Sequence, residues 1–308
     1  MVPESEVEPH QIELPPPRDP ENQKKLLIFD MDETLIHCVD DVEKQECDII
    51  LEIKFPDGDE DETVYAGINI RPYIIECLKE ASKNYQVIVF TASHKVYADA
   101  ILDFIDPDGA LIQHRLYRHN CILTKPEPAC SSSSHSVGSG FYVKDLRIFD
   151  SSIFSLKDIV IVDNSVYSFA CHIDNGIPIV PFYDDKEDEE MLHLIYYLNC
   201  LAQVEDVREQ NRQAFELREL AEASSTHDEE PRDFSSEQVY ERIEECHQNQ
   251  EETQSQEEEE DVIIAGGMPA ATTANEDLNI QKNVHSFGPK DVQREYNPMG
   301  ALAGNGNQ

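Results

Sequence analysis

Apolar residues along this chain gather into three short, uninterrupted runs separated by stretches with helical spacing. KKLLIFD at 24–30, QVIVF at 86–90 and IVIVD at 159–163 have the length and continuity of strands buried on both faces, as in a parallel sheet. After the first run, a segment starting near Pro72 and covering IIECLKEASK places Ile74, Ile75, Leu78 and Ala81 on one helical face. From Lys95 to Ile105, the residues Tyr97, Ala98, Ile101, Leu102 and Ile105 recur at the same spacing. Strands alternating with helices predict an α/β fold built on an open, mainly parallel sheet flanked by helices.

Two segments break this rhythm. Residues 38–70 hold two alternating stretches, DIILEIKF and TVYAGINI, joined by the turn-rich PDGDEDE, the pattern of a small β-hairpin flap directly after the first strand. Residues 123–140 are rich in Ser, Pro and Gly and predict a flexible insertion. A helix is expected at 187–202, with Met191, Leu194, Ile195, Leu198 and Leu201 as its apolar stripe, and helical pattern continues weakly to about Leu220. The polar, proline-bearing residues 1–21 are expected to form a disordered arm, residues 22–223 one folded domain, and residues 224–308 an acidic, largely disordered tail.

Charge changes the picture of what the fold can bind. Acidic residues outnumber basic ones 63 to 24, for a formal charge of −39. That excess argues against direct contact with nucleic acid or an anionic membrane surface. Residues 22–205 contain 15 basic and 33 acidic side chains, so more than half of the excess lies in the two ends. Any phosphate site must then carry local positive charge or a metal. The eight cysteines include no CxxC pair. The N-terminus is unlike a signal peptide, and no apolar run nears the roughly 20 residues of a membrane helix. These features lead us to expect a soluble intracellular protein of the nucleus or cytoplasm, neither secreted nor membrane-inserted.

The candidate chemistry sits where the apolar runs end. The first run leads into FDMDETL, which sets Asp30 and Asp32 two residues apart at a strand's C-terminal end, the edge at which open α/β sheets bind ligands. One carboxylate of such a pair can attack phosphorus while the other protonates the leaving oxygen; the bland alternative is a pair that caps a turn. The second run ends in VFTAS, where Thr91 could hold a phosphate oxygen or merely cap the following helix. Lys144, in FYVKDL, could neutralise phosphate or be one more surface lysine. The third run ends in IVDNS, where Asp163 and Asn164 are oxygen donors suited to Mg²⁺ or to an Asx turn. Arg115 and Arg118, in HRLYRHNC, are equally readable as contacts for an acidic substrate and as solvated edge charges.

The order carboxylate pair, hydroxyl, lysine, metal carboxylate resembles the motif series of the haloacid dehalogenase superfamily. FDMDETLIH, RPYIIECLKEAS, VIVFTAS followed by YAD, YRHNC, YVKDL and VIVDNS resemble, more narrowly, the FCP/SCP-type phosphatases, over roughly Lys24 to Val204. The resemblance implies Asp30 as nucleophile, Asp32 as general acid and base, and Thr91 and Lys144 as the phosphate-binding pair. It also implies Mg²⁺ held by Asp30, the backbone carbonyl of Asp32 and Asp163, with Asn164 beside them. The flap would stand in place of a large cap domain, leaving a site open to a phosphoprotein, with the C-terminal domain of RNA polymerase II as one candidate. The competing expectations are a small-molecule or lipid phosphatase of the same superfamily and a noncatalytic phosphopeptide-binding module.

Overall fold

The computed structural model describes residues 2–55, 63–124 and 140–226. The expected turn at 56–62, most of the Ser-rich insertion and the tail from residue 227 onward lie outside the described residues. In chain order the helices are α1 (Glu4–Val7), α2 (Ile74–Asn84), α3 (Lys95–Ile105), α4 (Glu190–Leu201), α5 (Val207–Phe215) and α6 (Leu217–Thr226).

The three apolar runs become β1 (Lys25–Phe29), β5 (Tyr85–Phe90) and β9 (Ile159–Asp163), and every residue in them is buried. They lie side by side at the centre of a five-stranded parallel sheet, ordered β10-β9-β1-β5-β6, with short edge strands β6 (His114–Leu116) and β10 (Gly176–Pro178). Leu27 pairs with Val87 on one side and Val160 on the other. A strand flanked on both sides and covered on both faces has no polar face to offer, which explains the unbroken runs. Each fully buried Leu, Ile or Val contributes about 1.5–3 kcal/mol. An Ile161→Asp change would set an unpaired carboxylate in this layer. From β1 the chain runs to β5 and β6 on one side, then returns to β9 and β10 on the other. The tips of β1 and β9 therefore flank the point where strand order reverses, where ligands bind in such sheets.

The flap forms as an antiparallel sheet ordered β2-β4-β3, from β2 (Ile36–Cys38), β3 (Ile49–Lys54) and β4 (Thr63–Ile70). The two expected strands are β3 and β4; β2, directly after the Asp30–Asp32 turn, adds a third. Ile53, Ala66 and Ile68 face inward, whereas Ile50 and Tyr65 are exposed. A second small pair joins β7 (Ile122–Thr124) to β8 (Phe141–Val143) across the Ser-rich insertion. On α2 the buried stripe is Ile74, Cys77, Leu78 and Ala81, and α2 packs against α4. Ile75, expected inside, is only half-buried because Cys77 takes the inward position. Among the described residues no helix is long and apolar enough to cross a membrane.

The N-terminal arm corrects the expectation of disorder. Val7 is fully buried, with Val2 and Leu14 close to it in burial. Ile12 makes a parallel bridge to Phe149, its N–H donating to the Ile148 carbonyl at 2.9 Å. Distant side chains hold its backbone, and its own Arg18 side chain holds a distant backbone carbonyl. Arg147 donates to the Val2 carbonyl at 2.7 Å and Gln86 to that of Pro15 at 2.9 Å, while Arg18 donates to the Gly109 carbonyl at 2.6 Å. Prolines at 15–17 already restrict the unfolded arm, so ordering it costs less than its polarity suggests.

Candidate active site

Asp30 leaves the tip of β1 with its backbone N–H bonded to the Val162 carbonyl at 2.9 Å and only 7% of its surface exposed. Lys144, one residue past β8 and 2% exposed, points its ammonium between two strand tips. It donates to Asp30 Oδ1 and, at 2.6 Å, to Asp163 Oδ2. Lys144 is fixed in turn by its backbone N–H, which donates to the Ser168 carbonyl at 2.7 Å. Asp163 also accepts from the Ser165 N–H at 2.8 Å and from Ser168 Oγ. Burial, then the facing Asp163 carboxylate, pushes the Asp30 carboxyl up to about 8, against the pull of Lys144. Burial alone would lower the Lys144 ammonium, but Asp163 and Asp30 outweigh it and hold it above its ordinary value. Two carboxylates sharing one cation leave the cluster short of positive charge.

Asp32, half-buried, stands in the turn beyond. Three hydroxyls donate to its carboxylate: Ser93 at 2.6 Å and Thr91 at 3.2 Å to Oδ2, and Tyr97 at 3.0 Å to Oδ1. Thr91 is fully buried, and its Oγ1 accepts the Ser93 N–H at 2.9 Å, so it does not cap α3, whose N-cap is His94. Thr34 Oγ1 donates to Asn164 Oδ1 at 3.3 Å, which ties the β9 tip to the turn after Asp30.

Arg71, at the base of the flap and 1% exposed, clamps that same turn. Its guanidinium donates to the Thr34 carbonyl at 3.0 Å, to the Val180 carbonyl at 2.9 Å, and to both oxygens of Asp188 at 2.9 and 2.8 Å. Beside Lys144, the buried Asp145 binds Arg147 and, at 2.8 Å, His172 Nε2. Burial would raise the Asp145 carboxyl, but those partners hold it well below the usual carboxylate range.

The structure therefore gathers Asp30, Lys144, Asp163 and Asn164 at adjoining strand tips, with Asp32 and Thr91 bonded to each other alongside. Arg115 is not among them: its guanidinium is committed to Asp103 at 2.7 Å and Asp99 at 3.2 Å on the flank of α3. Arg118 lies closer, with Nε donating to the Ala92 carbonyl at 2.6 Å and its guanidinium over the Tyr142 ring at 5.4 Å. Cys121 is buried and pushed up to about 12 by that burial, an inert thiol. Arg71, Ser93 and Tyr97 lie inside the motifs RPYIIECLKEAS, VIVFTAS and YAD, yet neither those motifs nor any spacing assigned a role to them, to Ser168 or to Asp188. Tyr97 counted there as one apolar position of a helix, and no spacing rule announces a hydroxyl that reaches across to another strand's tip.

Among the described residues no three His, Cys, Asp or Glu side chains gather as a metal cage. Two carboxylates, Asp30 and Asp163, stand together at adjoining strand tips, each bonded to the Lys144 ammonium through one of its two oxygens. Mg²⁺ commonly takes one or two carboxylates and completes its shell with water and phosphate oxygens, so this all-oxygen donor set fits it.

These groups stand at the C-terminal edge of a five-stranded parallel sheet, the edge at which open α/β folds bind ligands. The chain belongs to the NLI interacting factor-like phosphatase family, whose profile matches residues 25–208. It is 36% identical over 205 residues to the CTD small phosphatase-like protein 2 of Dictyostelium discoideum, covering 67% of this chain and 32% of that protein. It is 32% identical over 193 residues to the CTD nuclear envelope phosphatase 1B of Danio rerio, covering 60% of this chain and 70% of that protein. A solved fission yeast RNA polymerase II CTD phosphatase bound to beryllium fluoride matches at 20% identity and a TM-score of 0.40, over 80% of this chain and 67% of that one. Against CTD small phosphatase-like proteins 2 and 3, of Dictyostelium discoideum and Caenorhabditis elegans, the chain spans 32% and 60% of the relative's length.

Proposed function

We propose that this protein is a Mg²⁺-dependent phosphatase of phosphoserine or phosphothreonine in proteins, acting through an aspartyl-phosphate on Asp30. The observation that carries this reading is the Lys144 ammonium bridging Asp30 and Asp163, with Asp32 standing in the same turn as Asp30. One carboxylate is thus held beside fixed positive charge, and the second is free of that cation and available for proton transfer. An Asp30 oxygen attacks phosphorus, the bond from phosphorus to the serine oxygen breaks, and Asp32 gives that oxygen a proton. Asp32 then takes a proton from water, whose oxygen attacks the same phosphorus and releases phosphate from Asp30. Lys144 and Thr91 hold the phosphoryl oxygens during both transfers. Held by Asp30, Asp163 and the Asp32 carbonyl, with Asn164 adjacent, Mg²⁺ would supply the missing positive charge and keep Asp30 ionised at neutral pH.

The names of the relatives support a phosphoprotein substrate, with the RNA polymerase II C-terminal domain as one candidate. The insertion between β1 and α2 is three short strands rather than a domain, which suits a bulky substrate better than a metabolite. Among the described residues the six cysteines are all free, in keeping with a nuclear or cytoplasmic protein.

Asp30→Asn tests the reading: turnover of a phosphoserine peptide should fall by more than about a thousandfold, the scale of losing a covalent nucleophile. Chelator should silence the wild type and Mg²⁺ restore it. A variant that keeps a tenth of wild-type kcat would overturn the assignment.

A further inference from the structure

Asp32 accepts hydrogen bonds from three hydroxyls, and their geometry separates their roles. Thr91 has one hydroxyl hydrogen, so it cannot donate to Asp32 and to a phosphate oxygen at once. When phosphate takes that hydrogen, Ser93 and Tyr97 remain, one on each carboxylate oxygen, at 2.6 Å to Oδ2 and 3.0 Å to Oδ1. A single donor would leave the carboxylate free to turn about its broad terminal torsion. Two donors on opposite oxygens, reaching from the β5–α3 loop and from α3 itself, fix the plane of the group. Ser93 is anchored a second time through its N–H to Thr91 Oγ1. Proton transfer demands a donor within about 2.6–3.2 Å and well aligned, so control of that plane bears directly on the rate.

We propose that Ser93 and Tyr97 are positioning residues that orient the Asp32 carboxylate toward the leaving oxygen and make no contact with the phosphoryl group. This rests on the phosphatase reading above and adds to it which residues set its dependence on the leaving group. A strongly basic serine oxygen needs the proton as the bond breaks, whereas an acidic phenol leaves without it. Loss of either hydroxyl should therefore be felt in proportion to the basicity of the leaving group.

The experiment compares wild type, Tyr97→Phe, Ser93→Ala, Ser93→Thr and Asp30→Asn as full-length protein with Mg²⁺. The substrates are a phosphoserine peptide and a series of aryl phosphates of graded phenol acidity. Tyr97→Phe and Ser93→Ala should each lower kcat/KM about tenfold on the peptide, part of the 10²–10⁴ that a positioned acid supplies. On the most acidic phenol the loss should stay within about twofold, giving a steeper dependence on phenol acidity. kcat/KM reports the first transfer, so slow release of phosphate from Asp30 does not hide the effect. Inhibition by inorganic phosphate should be unchanged, which also certifies that each variant is folded, and Ser93→Thr should restore the wild-type slope. Equal losses on all substrates, or weakened phosphate inhibition with an unchanged slope, would overturn the proposal. If Asp30→Asn stays active, it is the phosphatase mechanism that falls; if Asp30→Asn is dead and the slopes are flat, only the role of Ser93 and Tyr97 falls.

Discussion

At the scale of single residues, the lone lysine between Asp30 and Asp163 sets the behaviour of the site with pH. Asp30 moves from 3.8 to about 8 on folding, so the folded state holds a proton that the unfolded state has lost between those values. Its contribution to stability is present below 3.8 and disappears as pH rises through about 8. A divalent cation prefers the ionised form and opposes that loss. The melting temperature should therefore rise more with Mg²⁺ at pH of about 8.5 than at about 5, measured by thermal denaturation against a chelated control. Asp30→Asn should erase the difference; an equal rise at both pH values would mean that the ion binds elsewhere. The five groups Asp30, Asp32, Thr91, Lys144 and Asp163 were legible in the sequence because each follows a recognisable apolar run or motif. Ser93 and Ser168 were not, because a serine hydroxyl looks like ordinary polarity until its partner is known, and Tyr97 was not, because its ring already fills an apolar position of a helix. Arg115 was misleading for the converse reason: its partners Asp99 and Asp103 lie on α3, outside the motif that drew attention to it.

At the scale of elements, Arg71 joins three of them: the last strand of the flap, the turn after β1 and the segment leading into α4. Its side chain is wholly buried and that of Asp188 is 9% exposed, so removing one partner leaves an uncompensated charge. Asp188→Asn should cost about 3–5 kcal/mol, the usual penalty for breaking a buried pair, read from the denaturant midpoint. A loss below about 1 kcal/mol would show that water reaches the pair. Gly176 carries a different constraint. A Cβ built there would lie 2.0 Å from the Phe169 ring, so Gly176→Ala should destabilise by about 1–3 kcal/mol as the ring is displaced. The three central strands were legible because burial on both faces erases polar positions, and the helices because burial on one face imposes a period. The arm was not legible. It is held by isolated residues, Val2, Val7 and Leu14, and by hydrogen bonds involving its backbone carbonyls, and neither leaves a periodic trace.

At the scale of the whole molecule, a formal charge of −39 opposes the approach of an acidic peptide, while the Lys144 ammonium and the Mg²⁺ of the proposed site would act only locally. Phosphoserine peptides flanked by neutral or basic residues should exceed acid-flanked ones in kcat/KM. The gap should narrow as salt brings the screening length to about 8 Å at physiological ionic strength. A preference for acidic flanks at low salt would mean that a local basic surface, with Arg118 its first candidate, outweighs the net field. The seam between β1 and β9 has a consequence of another kind. Asp30, Asp32 and Thr91 precede residue 124, whereas Lys144 and Asp163 follow residue 140, and the two stretches are joined where Leu26 to Phe29 pair with Ile159 to Val162 and where Ile122 to Thr124 pair with Phe141 to Val143. On the proposed phosphatase reading, catalysis depends on a junction between two stretches of chain, and a chain opened between 124 and 140 should behave as a complementation pair, silent as separate fragments and active in proportion to their reassembly.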